Sequence, residues 1–286
     1  MGTVPAKSAG AMSYSQPTSS MMGSGGEGRD GLFFRPMDER YALFDLDQTL
    51  LPHDTQALFC NYVLRREGWR RVYLLWFLPC LPLAAGRLLS LRTMKRLFFS
   101  YLVGMRRETL EAHVAAFLES DFDAALYPAV VAELERNRAE GRVLILNSAS
   151  PEFYLKGIAA KLGFDHYLGT DLEVPGVMPF LPVITGPNNK HGAKVVAMIN
   201  RGLIPEDAIM LADSWAYSDS SADLPLLELV ENAVMIHPGT NLATIGAGHG
   251  WRTMTPARPY AGKWAGRLAA CSQACGLYPA PDRENA

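Results

Sequence analysis

Residues 41–50 read "YALFDLDQTL" and set two aspartates, Asp45 and Asp47, one residue apart at the end of an apolar run. Burying a carboxylate is costly, and two neighbouring ones repel unless a cation lies between them. A short buried strand that delivers both to its end is built for chemistry rather than for packing.

Outward from this strand the pattern alternates. A long helical region is expected from about His53 to Arg138. "GRVLILNSAS" (141–150) reads as a second buried strand, with Ser150 as N-cap and Pro151 at the first position of the helix "PEFYLKGIAAKLG". "HYLGTDLEV" (166–174) is a strand and "HGAKVVAMINRG" (191–202) a helix closed by Gly202. "AIMLADSWAYSD" (208–219) holds a strand whose register the pattern leaves open. "SADLPLLELV", "NAVMIHPG" and "NLATIGAG" follow as helix, strand and helix. Apolar strands alternating with helices specify an α/β fold, a Rossmann-like parallel sheet flanked by helices. The helical insert after the first strand makes an α-helical cap over the C-terminal edge of the sheet, where such folds bind ligands. The expected divisions are a disordered leader (1–35), the core (36–52 and 139–255), the cap (53–138) and a tail (256–286), the tail lying against the domain or the membrane.

The chain of 286 residues is 49% hydrophobic and 20% charged, which suits a folded core and excludes wholesale disorder. Its net charge of −2 hides an asymmetry. Between Asn61 and Arg107 stand ten basic residues and one acid, Glu67, a balance of +9 that leaves −11 for the rest. That points to an anionic partner. The four cysteines, Cys60, Cys80, Cys271 and Cys275, form no zinc pattern and read as reduced thiols without disulfides.

Within the basic region, "RVYLLWFLPCLPLAAGR" (71–87) carries no charge from Val72 to Gly86, too short for a transmembrane span. Pro79 and Pro82 are expected to break a simple helix. The stretch reads either as the packed interior of the cap or as a hairpin entering a membrane interface with its arginines at headgroup level. The surrounding charge favours the second.

Polar residues fall where the sheet edge would gather them: Asp45 and Asp47, Ser148, Lys194, and Asp219 with Asp223. Lys194 opens a helix, the wrong end for a cation unless an anion sits there. Asp223 has an ordinary reading, since Ser220-Ser221-Ala222-Asp223 forms a capping box. Asp213 is a rival acid without a partner four residues on.

This ordered set resembles the haloacid dehalogenase-like (HAD) phosphohydrolase superfamily. "FDLDQTL" is similar to its first motif, "LILNSASP" to its second through Ser148, "GAKV" to its third through Lys194, and "YSDSSAD" to its fourth. Two positions depart from the family's pattern: Gln48 stands where Gly or Ser is commoner, and Ser218 at a frequent Gly position. The resemblance implies that Asp45 attacks phosphorus and becomes an aspartyl-phosphate, with Asp47 as general acid and base. It implies Mg²⁺ held by Asp45, the carbonyl of Asp47 and Asp219. Ser148, Ala149 and Lys194 would bind the phosphoryl group, with Asp223 and Thr49 in support.

The cap position is similar to that of phosphoserine phosphatases, but Ala149-Ser150-Pro151 replaces their glycine pair, and only Asp54 stands near their substrate-holding glutamate. The apolar, proline-containing cap segment and "YSDS" resemble the HAD-type phosphatidylglycerophosphate phosphatases more closely. That resemblance implies a phosphomonoester substrate on a lipid head group, met by Arg65 and Arg96 among others. It implies peripheral or anionic-lipid contact through the cap, a cytoplasmic location at the inner face of the membrane, and no nucleic-acid partner. A soluble phosphatase of the phosphoserine phosphatase type, an inactive membrane-binding module, and transfer to an acceptor other than water stay open.

Overall fold

The structure, a computed structural model, describes residues 39–186 and 189–280; the leader of residues 1–35 lies outside them. Strand β1 (Tyr41–Phe44) is followed by α1 (Thr55–Arg66), a 3-10 segment (Gly68–Tyr73), α2 (Leu74–Ala85), α3 (Leu91–Phe98), α4 (Arg107–Phe117) and α5 (Pro128–Ala139). The chain continues through β2 (Val143–Pro151), α6 (Glu152–Leu162), β3 (His166–Thr170), α7 (Ala193–Asn200), β4 (Leu211–Ser218) and the short α8 (Leu224–Leu227). It ends with β5 (Val230–Ile236), α9 (Thr240–His249), β6 (Arg252–Met254) and α10 (Gly262–Ala274). The strands form one six-stranded sheet in the order β3-β2-β1-β4-β5-β6, parallel throughout. The α/β, Rossmann-like expectation holds.

Strand order reverses at β1, which pairs with β2 on one side and β4 on the other, so the crevice beyond its C-terminal end is the natural ligand position. Side chains of β1 alternate between two apolar clusters. Ala42 and Phe44 join one with Leu146 and Tyr217, and Tyr41 and Leu43 the other with Ile145 and Ala216. Phe44 stacks on Tyr217 at 4.2 Å, locking the strand that carries Asp45 to the strand that leads to Asp219.

The open register of β4 has a local cause. Its pairing with β5 shifts between Leu211 and Trp215, and Asp213 lies there with φ 45°. Its carboxylate faces the far end of the sheet from Asp45, bound to Arg40 (2.9 Å) and Arg142 (2.6 Å). The rival acid is thereby a structural ion pair.

Three sequence expectations are corrected. First, Pro79 and Pro82 do not break the helix; both lie inside α2. The carbonyls they leave without a helical donor are those of Leu75 and Leu78, on the exposed side, where solvent can serve them. Second, β2 runs on to Pro151, so the N-cap of α6 is Pro151 and not Ser150. Third, α5 lies on the sheet rather than in a cap: its Val130 and Leu134 pack with Phe44 and Leu144, and Asn137 donates to the Tyr217 hydroxyl at 2.9 Å. The same cluster takes in Phe59, Tyr73 and Phe117, so the helical insert and one face of the sheet share a single core.

The tail is part of the fold. Asn61 on α1 exchanges two hydrogen bonds with the main chain of Tyr278, each 3.1 Å, and Arg71 donates to the carbonyls of Cys275 (3.0 Å) and Gly276 (2.7 Å). Arg70, Arg92, Arg96 and Arg107 likewise spend donors on main-chain carbonyls, three of them in the loop between β3 and α7. Much of the basic excess thus straps the insert to segments far along the chain.

Candidate active site

β1 ends at Phe44, and the next residue's main-chain N–H, that of Asp45, donates to Tyr217 O at 3.0 Å. The Asp45 side chain is therefore presented at the sheet edge. Lys194, in the first turn of α7, is 2% exposed and reaches across to it. Its Nζ donates to Asp45 Oδ1 at 2.8 Å and to Asp223 Oδ2 at 2.7 Å. This answers the charge conflict at the start of α7: the ammonium belongs to two carboxylates, not to the helix end. Burial by itself would lower the Lys194 pKa, and the charges of Asp45 and Asp223 more than reverse that. Asp45 is pushed up to about 7, by burial first, with Lys194 opposing and Asp223 and Asp47 adding.

Asp47 is gripped from two directions. Thr55 donates its main-chain N–H to Oδ1 at 2.7 Å and its hydroxyl to the same oxygen, and Ser150 donates its hydroxyl to Oδ2 at 2.8 Å. Burial raises its pKa to about 6, with the Asp54 charge adding and the Thr55 and Ser150 hydrogen bonds opposing. A carboxyl group poised there suits proton transfer near neutrality.

Ser148 is 1% exposed, and its Oγ accepts from the N–H of Ser150 at 3.1 Å, so its own hydroxyl proton is not used in that bond. The carbonyl of Ala149 accepts from Lys95 Nζ at 2.6 Å and from Thr170 Oγ1 at 2.7 Å. Thr49 Oγ1 accepts the main-chain N–H of Asp219 at 3.1 Å, tying the first acidic segment to the last. Asp223 has a different role from the capping box: Ser220 Oγ accepts from Ala222 N–H, whereas Asp223 takes Lys194 and the hydroxyl of Ser218 at 2.7 Å.

Asp45, Asp47, Ser148, Ala149, Lys194, Asp219, Asp223 and Thr49 are thus gathered at one edge. Arg65 and Arg96 are not. Arg65 is paired with the buried Asp121, and Arg96 donates to Pro182 O (2.8 Å) and Leu181 O (3.2 Å). Their long donors were legible as charge, but their partners lie too far along the chain for spacing to reveal. Sequence reasoning passed over Thr55 and Ser150 as Asp47 ligands. It also missed Asn147 and Asn189, which carry the loop before α7: Asn147 donates to Lys194 O at 3.1 Å, and Asn189 donates to Ser148 O at 2.9 Å. The only signal was polarity at an apolar strand end.

Asp219 is pushed up to about 8 by burial and then by the charges of Asp45 and Asp223. Three acids so close, served by one lysine, leave an excess of negative charge that a divalent cation would balance. Among the described residues no three His, Cys, Asp or Glu side chains close around one position. The donor set that fits is smaller: the carboxylates of Asp45 and Asp219 with the main-chain carbonyl of Asp47, a hard oxygen set suited to Mg²⁺ that keeps waters. The Asp47 side chain is committed to Thr55 and Ser150 and is outside that set.

Residues 42–228 match the haloacid dehalogenase-like hydrolase family. The chain belongs to that family. With the site just described, this HAD chain is an enzyme of the phosphatase type. It is 26% identical over 242 residues to a probable phosphatase of Mycobacterium tuberculosis, covering 78% of each chain. It is 22% identical over 222 residues to the histidinol-phosphatase of Neisseria meningitidis, covering 73% of this chain and 96% of that one. Among solved structures, a Bordetella pertussis protein of unknown function superposes with a TM-score of 0.63 at 26% identity, over 76% of this chain and 99% of that one. A phosphoserine phosphatase with a phospho-aspartyl intermediate analogue shares the fold, with a TM-score of 0.51 at 16% identity over 77% and 95% of the two chains.

Proposed function

We propose that the chain is a Mg²⁺-dependent phosphomonoester hydrolase that forms an aspartyl-phosphate on Asp45, and that its substrate is a lipid head-group phosphate such as phosphatidylglycerophosphate. The chemistry rests on one observation above all, the Asp45–Lys194–Asp223 relay of 2.8 and 2.7 Å beside a separately held Asp47. An Asp45 oxygen attacks phosphorus, the bond from phosphorus to the leaving oxygen breaks, and Asp47 gives that oxygen its proton. Asp47 then takes a proton from water as the water oxygen attacks phosphorus, the phosphorus–Asp45 bond breaks, and phosphate leaves. Lys194 holds the Asp45 carboxyl in place and offsets charge on the transferred group, and the Ser148 hydroxyl donates to a phosphoryl oxygen. Asp45, Asp219 and the Asp47 carbonyl would hold Mg²⁺, which would supply Lewis-acid charge neutralisation to nucleophile and phosphate.

The lipid part rests on exposed apolar side chains of the insert. Leu75 on α2, Leu88 in the connection after it and Leu91 at the start of α3 are 74%, 76% and 85% exposed, with Trp69 and Leu78 also turned outward. Such side chains suit a peripheral seat on the inner surface of the membrane, with the sheet in the cytoplasm. No helix among the described residues is long and apolar enough to cross a membrane. A second reading, a small-metabolite phosphatase of the phosphoserine phosphatase type, is favoured by the arginines of the insert, whose donors serve carbonyls within the chain and draw less on anionic lipid.

Mg²⁺-dependent phosphate release from p-nitrophenyl phosphate, abolished in Asp45→Asn, tests the chemistry. Turnover of phosphatidylglycerophosphate in mixed micelles against phosphoserine tests the substrate. Efficient phosphoserine hydrolysis without lipid turnover transfers the assignment to the second reading.

A further inference from the structure

A cleft of about 340 Å³ lies between the first turn of α1, α3, α10 and the last residues of β2 at Ala149. Its position follows from Asp47. One wall holds Asp54 and Gln56, which flank the Thr55 that binds one Asp47 oxygen, and another holds Ala149, next to the Ser150 that binds the other. The cleft therefore borders the neighbours of both residues that hold the Asp47 carboxyl group.

Its charges are Lys95, Lys190 and Asp54. Asp54 Oδ1 is committed to capping α1, accepting from the N–H groups of Gln56 (2.8 Å) and Ala57 (3.2 Å). Lys95 reaches from α3 to Ala149 O at 2.6 Å and Thr170 Oγ1 at 3.2 Å, so its ammonium is fixed at the end of β2. Burial lowers its pKa to about 8, Asp47 and Asp54 oppose this, and the nearby Lys190 charge adds to it. The two ammonium groups outnumber the one carboxylate in the wall, Asp54, and an anion entering the cleft would balance the excess. Apart from Gln56, the rest of the wall is mostly apolar, with Leu91, Phe98 and Ala270.

We propose that this cleft receives the leaving group and that Lys95 with Lys190 selects one carrying a second anionic group, a carboxylate, phosphate or phosphodiester, its carbon chain lying against Leu91, Phe98 and Ala270. The selection rests on the phosphatase reading and deepens it. It makes Lys95 a specificity-determining residue and α10 a wall of the substrate site.

The test uses the full chain with Mg²⁺ and two matched pairs of probes. The soluble pair is 1,3-propanediol bisphosphate against 1,3-propanediol monophosphate. The lipid pair is phosphatidylglycerophosphate against phosphatidic acid, each in phosphatidylcholine vesicles. The wild type is expected to prefer the second-anion member by about 10-fold or more in kcat/KM. Preference in both pairs assigns the site to the anion whatever carries it, and preference in the lipid pair alone assigns it to a head group. Lys95→Met and Lys190→Met are expected to bring the ratio towards one, and Lys95→Arg to keep it. A wild-type ratio near one in both pairs overturns the proposal, as does a Lys95→Met variant that lowers both members of a pair equally, since a purely structural lysine would do that. If no phosphomonoester is hydrolysed at all, the phosphatase reading fails and the selection falls with it.

Discussion

Ser150 and Asp47, 103 positions apart, are joined by a hydrogen bond of 2.8 Å that holds the proposed general acid against the end of β2. With Thr55 on the other oxygen, both ends of the carboxyl group are held and its orientation is fixed. Proton transfer is then expected to depend on both hydroxyls. Asp47→Asn should lower kcat on an alkyl phosphate by about 10²- to 10⁴-fold. The loss should be much smaller on p-nitrophenyl phosphate, whose leaving group needs no proton. Thr55→Val and Ser150→Ala should show the same inequality in weaker form, and equal losses on both substrates would refute the acid role.

Lys194 bridges two carboxylates with a compact ammonium, and its removal leaves both buried next to each other. Lys194→Met should cut kcat by about 10²-fold or more. It should also destabilise the metal-free fold by about 3–5 kcal/mol, read by urea denaturation. Lys194→Arg is expected to fail as a rescue, because a planar guanidinium does not fit the place of a point charge.

Metal-free stability should fall as pH rises. Asp45, Asp47 and Asp219 have folded-state values of about 7, 6 and 8, against an unfolded value of 3.8. Between pH 4 and 8 the folded state therefore holds protons that the unfolded chain has lost. Stability is greatest at the acid end of that window and declines through it. Thermal melts in EDTA from pH 5 to 8.5 should show the decline. The gain in Tm on adding Mg²⁺ should be larger at pH 8 than at pH 5, and a gain independent of pH would argue against the acidic metal site.

Gly169 in β3 has no room for a side chain. An added Cβ would lie 2.8 Å from the carbonyl oxygen of Ser150 and 2.9 Å from Leu155 Cδ2. Gly169→Ala should therefore push on the irregular end of β2 that carries Ser148 and Ser150, costing about 1–3 kcal/mol of stability. Its loss of kcat should exceed that of a surface control of equal Tm.

The exposed leucines are expected to matter for membranes and not for folding. Leu75→Glu with Leu88→Glu should leave Tm nearly unchanged, since surface changes cost within about 0.5 kcal/mol. Co-sedimentation with anionic vesicles should drop in the same protein. Unaltered sedimentation would remove the membrane seat of the proposal.

Much of the site was legible from order and spacing alone. Asp45 and Asp47 follow β1, Ser148 lies near the end of β2, Lys194 opens α7, and Asp219 follows β4, because buried strands and helix starts write themselves as local apolar runs and breakers. Those patterns report what a residue's near neighbours require, and so they determined the parallel α/β sheet and the edge at which the acids meet.

Tertiary structure alone decided which partner each polar group found. Arg65 was read as a substrate contact and is bound to Asp121, Ser150 was read as a helix cap and holds Asp47, and the tail became a wall of the cleft through α10. Pro79 and Pro82 sit within α2 because its exposed side tolerates the missing donors. A hydrogen bond or ion pair is satisfied by whichever group folding brings within about 3 Å. Along this chain those groups lie tens to hundreds of residues away, where periodicity carries no record of them.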